Sequence, residues 1–179
     1  MAADIEVLTP EFKSNVLKLL ERCKELGYEM RPYMTTRDPF EQARLWRQSR
    51  STEEINKRIE EFETAGAAFL AECIRSAGPQ HGDPVTNAPP GFSWHQWGEA
   101  MDCFWLVEGK AEWSTRRLIA GNNGYQVYAN EAKALGLTAG GLWMTLRDWP
   151  HIQLRVAGSP LNIMSLLDIN TEMEQRFRG

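Results

Sequence analysis

The stretch Ser93-Trp94-His95-Gln96-Trp97-Gly98-Glu99-Ala100-Met101-Asp102 carries a histidine and a carboxylate on either side of a glycine. His95 and Asp102 lie too far apart in sequence to share one helical turn, and Gly98 interrupts a helix between them. A loop that bends at Gly98 and continues into a strand would direct both side chains to one point. The alternation from Ala100 to Phe104 fits such a strand, and it places Asp102 on the inner face.

A second histidine, His151, lies near the end of the chain in the stretch Asp148-Trp149-Pro150-His151. Two histidines and a carboxylate form a donor set for zinc, with a fourth position open for water. We therefore predict that His95, Asp102 and His151 bind Zn2+. The third histidine, His81, lies in a loop rich in Gly, Pro, Asn and Asp over 78–90, and it has no motif partner. We expect His81 to lie outside the metal site.

The first stretch resembles the S-x-H-x-x-G-x-A-x-D motif of the zinc D,D-peptidases and L-alanyl-D-glutamate peptidases, which cut the peptide part of bacterial peptidoglycan. The matching residues are Ser93, His95, Gly98, Ala100 and Asp102. A second stretch begins with Gly140-Gly141-Leu142-Trp143 and continues, after four residues, with Asp148-Trp149-Pro150-His151-Ile152-Gln153. It resembles the G-G-x-W-x-x-x-x-D-x-P-H-x-Q motif of the endopeptidase branch, which is common among phage endolysins. Both motifs occur in the family's order.

Asp148 is the predicted general acid–base residue. Zinc lowers the pKa of a bound water, but hydrolysis of an amide also needs a group that takes the water proton and protonates the leaving amine. Asp148 precedes His151 by three residues, so it can lie near the metal without binding it. The family has Glu or Asp at this position, which supports the same role.

A third segment resembles the family's S-G-x-R-x-x-x-x-Q-x-x-L pattern. Here Arg37 is followed five residues later by Gln42, although Thr35-Thr36 replaces the family's usual residues before the arginine. The resemblance implies that Arg37 reaches the active site and that Gln42 lies in the same region. A guanidinium beside the metal can stabilise an oxyanion or hold a substrate carboxylate. We predict that Arg37 is catalytic and that Gln42 contacts substrate.

Three further residues are predicted substrate contacts. Ser93 belongs to the first motif, and Trp149 belongs to the second. Gln153 shares one face with His151 in the alternating segment 151–156, so it projects toward the site. We expect Trp97 and Trp143 to pack around the metal ligands instead.

Length and composition indicate one globular domain. The chain has 179 residues, 42% of them hydrophobic, which suits a real core and argues against disorder. The net charge is −4, so neither nucleic acid nor a membrane surface is a predicted partner. Binding to an anionic cell wall must therefore come from the site itself. The cysteines Cys23, Cys73 and Cys103 form no CxxC pair, and we expect buried free thiols.

Periodicity predicts an α+β fold with a small antiparallel sheet flanked by helices. The resemblance implies that the zinc site lies in a cleft on this sheet, as in the Hedgehog and D,D-peptidase family. The predicted helices are a first helix capped by Thr9, one that begins at Asp38, and helices over 51–77, 124–135 and 161–177; the predicted strands cover 30–36, 99–106 and 151–156. The helix over 51–77 is an insertion within a single domain over 1–179.

We expect a protein made without a signal peptide or membrane span, because the N-terminus has neither a basic region nor a long apolar run. It would act as a monomer on the peptidoglycan stem peptide of the cell wall, reached through holin pores, lysis or secretion.

The favoured function is an endolysin-like L-alanyl-D-glutamate endopeptidase, and this preference follows from resemblance in the second motif. The alternatives are a D-alanyl-D-alanine carboxypeptidase, or the same chemistry in a secreted antibacterial toxin that has an immunity protein as partner. A non-catalytic zinc-bearing domain is a further alternative, and retention of Asp148 and Arg37 argues against it.

Overall fold

The computed structural model describes residues 3–178 and contains helices and one antiparallel sheet. The helices are α1 (Pro10–Glu25), α2 (Pro39–Arg47), α3 (Thr52–Thr64), α4 (Ala68–Ser76), α5 (Gly124–Ala134) and α6 (Leu166–Phe177). The strands are β1 (Met30–Met34), β2 (Ala100–Val107), β3 (Lys110–Glu112), β4 (Thr138–Ala139) and β5 (His151–Gln153). Short 3₁₀ helices cover Trp94–Trp97, Gly140–Leu142 and Pro160–Asn162. The predicted α+β class is confirmed.

The sheet is organised around β2, its longest strand. Its order is β1-β2-β5-β4, β3 also pairs with β2, and every pairing is antiparallel. The β2 sequence favours this position, because a run of apolar residues suits a strand that is buried on both faces. The two histidine-containing motifs therefore lead into adjacent strands, the first into β2 and the second into β5.

Contacts divide the chain into two compact units. The first, which we call the sheet unit, contains Met1–Thr36 and Trp97–Val156; the second, the helical unit, contains Arg37–Gln96 and Ala157–Gly179. The single domain predicted from composition stays a prediction.

In the sheet unit, one face of β2 packs into the hydrophobic core that α1 and α5 also line. The buried residues of this core include Phe12, Val16 and Leu19 from α1, Met101, Cys103 and Trp105 from β2, and Tyr125 and Tyr128 from α5. Asp102 lies on the opposite face of β2, because successive side chains alternate. That face is buried as well at this position, since Asp102 is only 8% exposed.

In the helical unit, α4 is the central helix and packs against α2, α3 and α6. Its buried residues are Phe69, Leu70, Ala71, Cys73 and Ile74. The side-chain oxygen of Asn170 on α6 accepts a hydrogen bond from the backbone N–H of Leu70, at 3.2 Å. This bond satisfies one of the free donors in the first turn of α4, which lacks a side-chain cap of its own.

The single helix predicted over 51–77 is wrong, because the chain forms α3 and α4 with a turn between them. Gly66 has φ +79°, and the N–H of Ala67 donates to the carbonyl of Phe62 at 2.7 Å, which ends α3. The start of α3 agrees with the sequence: Ser51 and Glu54 form a capping box.

Other boundaries are shorter than predicted. The last helix begins at Leu166 and not at 161, because a 3₁₀ turn and a Ser165 cap precede it. The strand predicted to 156 ends at Gln153, and that predicted to 36 ends at Met34. Thr9 precedes α1 but makes no side-chain cap hydrogen bond.

The three cysteines are buried and free, as predicted. Among residues 3–178, no helix is both long and apolar enough to cross a membrane.

Candidate metal centre

Asp102 and His151 form the centre of the site within the sheet unit. Their Cα atoms are partners in the β2–β5 pairing, and Nδ1 of His151 lies 3.0 Å from Oδ1 of Asp102. Each residue is 8% exposed. The backbone N–H of Cys103 also donates to the carbonyl of Pro150 at 3.0 Å, which holds the residue before His151 against β2.

His95 lies in the 3₁₀ helix Trp94–Trp97 and is 3% exposed. One ligand atom each from His95, Asp102 and His151 lies within 4.8 Å of the other two. The bend predicted at Gly98 is present, with φ +68°. A Cβ at that position would lie 3.0 Å from the carbonyl oxygen of Val7, so both conformation and space favour glycine.

These three residues fit a zinc ion. Two imidazole nitrogens and a carboxylate oxygen are donors that zinc prefers, and ligands about 2.0–2.1 Å from a tetrahedral zinc lie roughly 3.3 Å apart. The 3.0 Å between the ligand atoms of Asp102 and His151 is close to that value. A buried carboxylate also requires a positive partner, which a divalent metal provides. The cluster can therefore hold Zn2+.

The His151 ring has neighbours on three sides: Asp102, Gln153 and Trp143. Its Nε2 lies 3.1 Å from Oε1 of Gln153, and the Trp143 ring lies 5.4 Å from it between centroids, at 45°. Burial, the largest single effect, lowers the pKa of His151, but Asp102, Asp148 and Gln153 together raise it more, so that the pKa lies above its usual value. The Trp143 contact agrees with the prediction that this residue packs around the ligands.

The two glycines of the second motif explain how Asp148 and His151 come together. A Cβ on Gly140 would lie 2.4 Å from the Asp148 carbonyl oxygen and 3.1 Å from Cβ of His151. A Cβ on Gly141 would lie 2.3 Å from the indole of Trp149. The turn that precedes β5 thus packs directly on the Gly140–Leu142 backbone, which only glycine permits.

Asp148 has a fixed backbone and an exposed side chain. Its N–H donates to the carbonyl of Gly140 at 3.1 Å, and its carbonyl accepts from the N–H of His151 at 3.2 Å. The residue is exposed, whereas His151 is buried. An exposed carboxylate beside a buried ligand has the access to water that a general base requires.

Tyr33 is a neighbour of the site that the sequence analysis missed. Between Pro32 and Met34, strand β1 shifts its register against β2, with Met34 paired to Asp102. Such a bulge redirects the side chain of the extra residue. Burial, followed by the charges of Asp102 and Asp148, raises the pKa of Tyr33. The phenol therefore keeps its proton to a higher pH than an ordinary tyrosine does.

Arg37 and Gln42 are hydrogen-bonded to each other in the helical unit. Nη1 of Arg37 donates to Oε1 of Gln42 at 2.9 Å, and Nε2 of Gln42 donates to the carbonyl of Ala88 at 2.6 Å. Gln42 is fully buried, and Nε of Arg37 is buried without a hydrogen-bond partner. Both ends of the Gln42 amide are thus occupied inside the protein. The catalytic role of Arg37 and the substrate role of Gln42 stay predictions.

The remaining predicted residues lie in different settings. Ser93 directly precedes the 3₁₀ helix that carries His95, and its carbonyl accepts from the N–H of Gln96 at 3.0 Å. Trp149 is half-buried, with its indole over Gly141. Their substrate roles stay predictions. His81 is exposed and is not a member of the cluster.

A family model described as "VanY: D-alanyl-D-alanine carboxypeptidase" matches residues 5–137. This chain belongs to the VanY family. In this VanY-family protein the matched range contains Arg37 and the first motif, at 93–102. It ends before the second motif, at 140–153. The predicted relationship to the zinc D,D-peptidases is confirmed, and the chain is a member of a family of peptidoglycan peptidases.

Solved structures similar to this VanY-family protein include the Serratia marcescens L-Ala D-Glu endopeptidase ChiX. Identity is 18%, 84% of this chain and 83% of ChiX are covered, and the TM-score is 0.44. Another is a mutant of the vancomycin-resistance D,D-pentapeptidase VanY from a VanB-type resistance cassette, in complex with Zn(II). Identity is 15%, coverage is 94% of this chain and 82% of that one, and the TM-score is 0.45. A search of curated proteins found no match.

Proposed function

We propose that this VanY-family protein is a zinc-dependent peptidase that cuts the stem peptide of bacterial peptidoglycan, with the L-alanyl-D-glutamate bond as its preferred target. The observation that carries the proposal is the convergence of His95, Asp102 and His151 within 4.8 Å. Three ligands with an open fourth position are typical of catalytic zinc sites, whereas structural sites are closed by four protein ligands.

Each polar residue then has a distinct task. When bound, the zinc ion polarises the scissile carbonyl and lowers the pKa of water. Asp148 takes a proton from the attacking water and returns it to the nitrogen of the leaving amine. Its exposure and its position three residues before His151 support this task.

Arg37 stabilises the negative charge that develops on the carbonyl oxygen of the substrate. Its guanidinium is anchored through Nη1 to Oε1 of Gln42 at 2.9 Å, which fixes its orientation. A preorganised donor of this kind needs no reorganisation during the reaction, which is the source of its effect on rate. In this mechanism Gln42 acts by orienting Arg37.

The choice of bond rests on the second motif, Gly140-Gly141-Leu142-Trp143 with Asp148 to Gln153, which resembles the endopeptidase branch. The second candidate is D-alanyl-D-alanine carboxypeptidase, and the description of the matching family model favours it. In that reaction Arg37 would bind the terminal carboxylate of the substrate, because a guanidinium pairs well with a carboxylate.

The enzyme acts on the cell wall, as an endolysin-like enzyme released from the cell where it is made. The secreted-toxin alternative has the same chemistry, and co-purification of an immunity protein with the Asp148→Ala variant would favour it.

The deciding experiment is digestion of purified peptidoglycan, followed by mass spectrometry of the soluble products. We expect peptides with a new N-terminal D-glutamate and disaccharides that retain L-alanine. Release of free D-alanine alone would establish the carboxypeptidase instead. Digests with zinc-free protein and with Asp148→Ala are the controls, and products that persist in both would refute metal-dependent hydrolysis.

A further inference from the structure

Gln153 has both ends of its side-chain amide engaged inside the protein. One end, Nε2, donates to the backbone carbonyl of Arg155 at 2.6 Å, and the other, Oε1, lies 3.1 Å from Nε2 of His151. A carbonyl oxygen only accepts, so the end of the amide that faces Arg155 must be the NH₂ group. The end that faces His151 is therefore the oxygen.

This orientation determines the state of the His151 ring. An amide oxygen only accepts, so Nε2 of His151 must carry a proton and donate it. An imidazole that binds a metal is neutral, so in the zinc-bound protein the second nitrogen has no proton. That nitrogen is Nδ1, which faces Oδ1 of Asp102 at 3.0 Å.

The position of Gln153 in the sheet makes the arrangement rigid. It is the last residue of β5, with Ala100 of β2 on one side and Thr138 of β4 on the other. It is 2% exposed. Beyond it, the Arg155 guanidinium forms two hydrogen bonds with the carboxylate of Glu99, at 2.6 and 2.8 Å, which holds the segment after β5 against the residue before β2. A side chain so buried and so fully bonded is poorly suited to contact substrate.

We propose that Gln153 is a positioning residue for the metal site: it holds His151 with Nε2 protonated, so that Nδ1 is the nitrogen that binds zinc. This inference rests on the proposed zinc-dependent function. It replaces the substrate contact predicted for Gln153 from strand alternation. Groups that orient a metal-binding histidine in this way typically contribute 10–100-fold to metal affinity.

The first test measures zinc affinity by competition with a chromogenic chelator, with no substrate present. Gln153→Met keeps the length of the side chain but removes the acceptor, and it should weaken zinc binding by roughly 10–100-fold. Gln153→Glu keeps an oxygen toward His151 and should bind zinc more tightly than Gln153→Met. Asn170→Ala removes another buried, hydrogen-bonded amide, from α6, and is the matched control that should keep the zinc affinity of the unaltered protein.

The second test uses the unaltered protein and does not depend on a variant that folds. Imidazole ¹⁵N NMR of the zinc-loaded protein should show His151 with a protonated Nε2 and a metal-bound Nδ1. A metal-bound Nε2 would overturn the proposal. So would an unchanged zinc affinity in Gln153→Met together with a raised KM, because that result identifies a substrate contact. Failure of the unaltered protein to bind zinc would instead overturn the proposed function.

Discussion

Asp102 and His151 are cross-strand partners on β2 and β5, with Oδ1 and Nδ1 only 3.0 Å apart. Directly opposed residues on antiparallel strands project to the same face, so strand register alone brings a carboxylate and an imidazole together. A shift of one residue would move one of the two to the other face. Two of the three candidate metal ligands are thus fixed by the hydrogen-bonding pattern of the sheet, whereas His95 comes from the 3₁₀ helix Trp94–Trp97.

Substitution of each histidine in turn tests which of them bind zinc: we expect His95 and His151 to do so, and His81 not to. The unaltered protein should bind about one zinc ion per chain. His95→Ala and His151→Ala should lose most of it, because each removes a donor from the cluster. His81→Ala is the matched control and should keep its zinc, since His81 is exposed and outside the cluster. Elemental analysis after gel filtration measures all four proteins, and equal loss in His81→Ala would contradict the assignment.

Replacement of Asp148 should separate catalysis from metal binding. Asp148→Ala removes the proposed base and leaves the three ligands in place. We expect a folded protein with normal zinc content and a hydrolysis rate about 10²–10⁴-fold lower, the usual contribution of such a group. Rates are measured on purified peptidoglycan. Turnover near that of the unaltered protein would rule out Asp148 as the base and strengthen the non-catalytic alternative.

Arg37→Ala should also retain zinc, because a guanidinium does not bind the metal. The rate should fall by about 10²–10³-fold if Arg37 stabilises the oxyanion. In the double variant Arg37→Ala/Asp148→Ala, the fold-loss in rate should be smaller than the product of the two single losses, because both groups serve one transition state. Fully independent effects on kcat in the double variant would argue against a shared role.

Gly140→Ala tests the packing under the second motif. The added Cβ would lie 2.4 Å from the Asp148 carbonyl oxygen, so the turn leading to His151 must move. We expect a destabilisation of about 1–3 kcal/mol and weaker zinc binding, measured by urea denaturation and chelator competition. Gly158→Ala is the matched control, because no atom lies within 4 Å of its added Cβ. Equal behaviour of the two variants would show that the close packing is not required.

Because Cys23 and Cys73 are buried thiols, we expect the protein to lose stability at alkaline pH. Burial raises the pKa of Cys23 and of Cys73 from 9.0 to about 12. Above pH 9 the unfolded chain releases these protons while the folded protein keeps them, so the free energy of unfolding should fall between about pH 9 and 12. Below pH 9 the two thiols should have no effect.

Urea denaturation across this range measures the effect. The double variant Cys23→Ala/Cys73→Ala is the control and should show a smaller slope of stability against pH. An identical slope would show that other groups cause the loss.

Much of the candidate metal centre could be proposed from the sequence, because donor chemistry is a local property. His95, Asp102 and His151 were identified from residue type and motif spacing, and the bend at Gly98 follows from the conformational freedom of glycine. The periodicity of apolar residues was sufficient for the α+β class and for most elements. It failed at 51–77, because the apolar pattern of α3 and α4 continues through the turn at Gly66 without a change of period.

Only the tertiary structure reveals the contacts made by these residues. His151 and Asp102 are 49 positions apart in sequence, and their pairing depends on strand register. Alternation correctly places Gln153 on the face of His151 but cannot distinguish a substrate contact from a hydrogen bond to the ring. The partner of a polar side chain is set by the segments that fold around it, and long-range packing determines which segments those are.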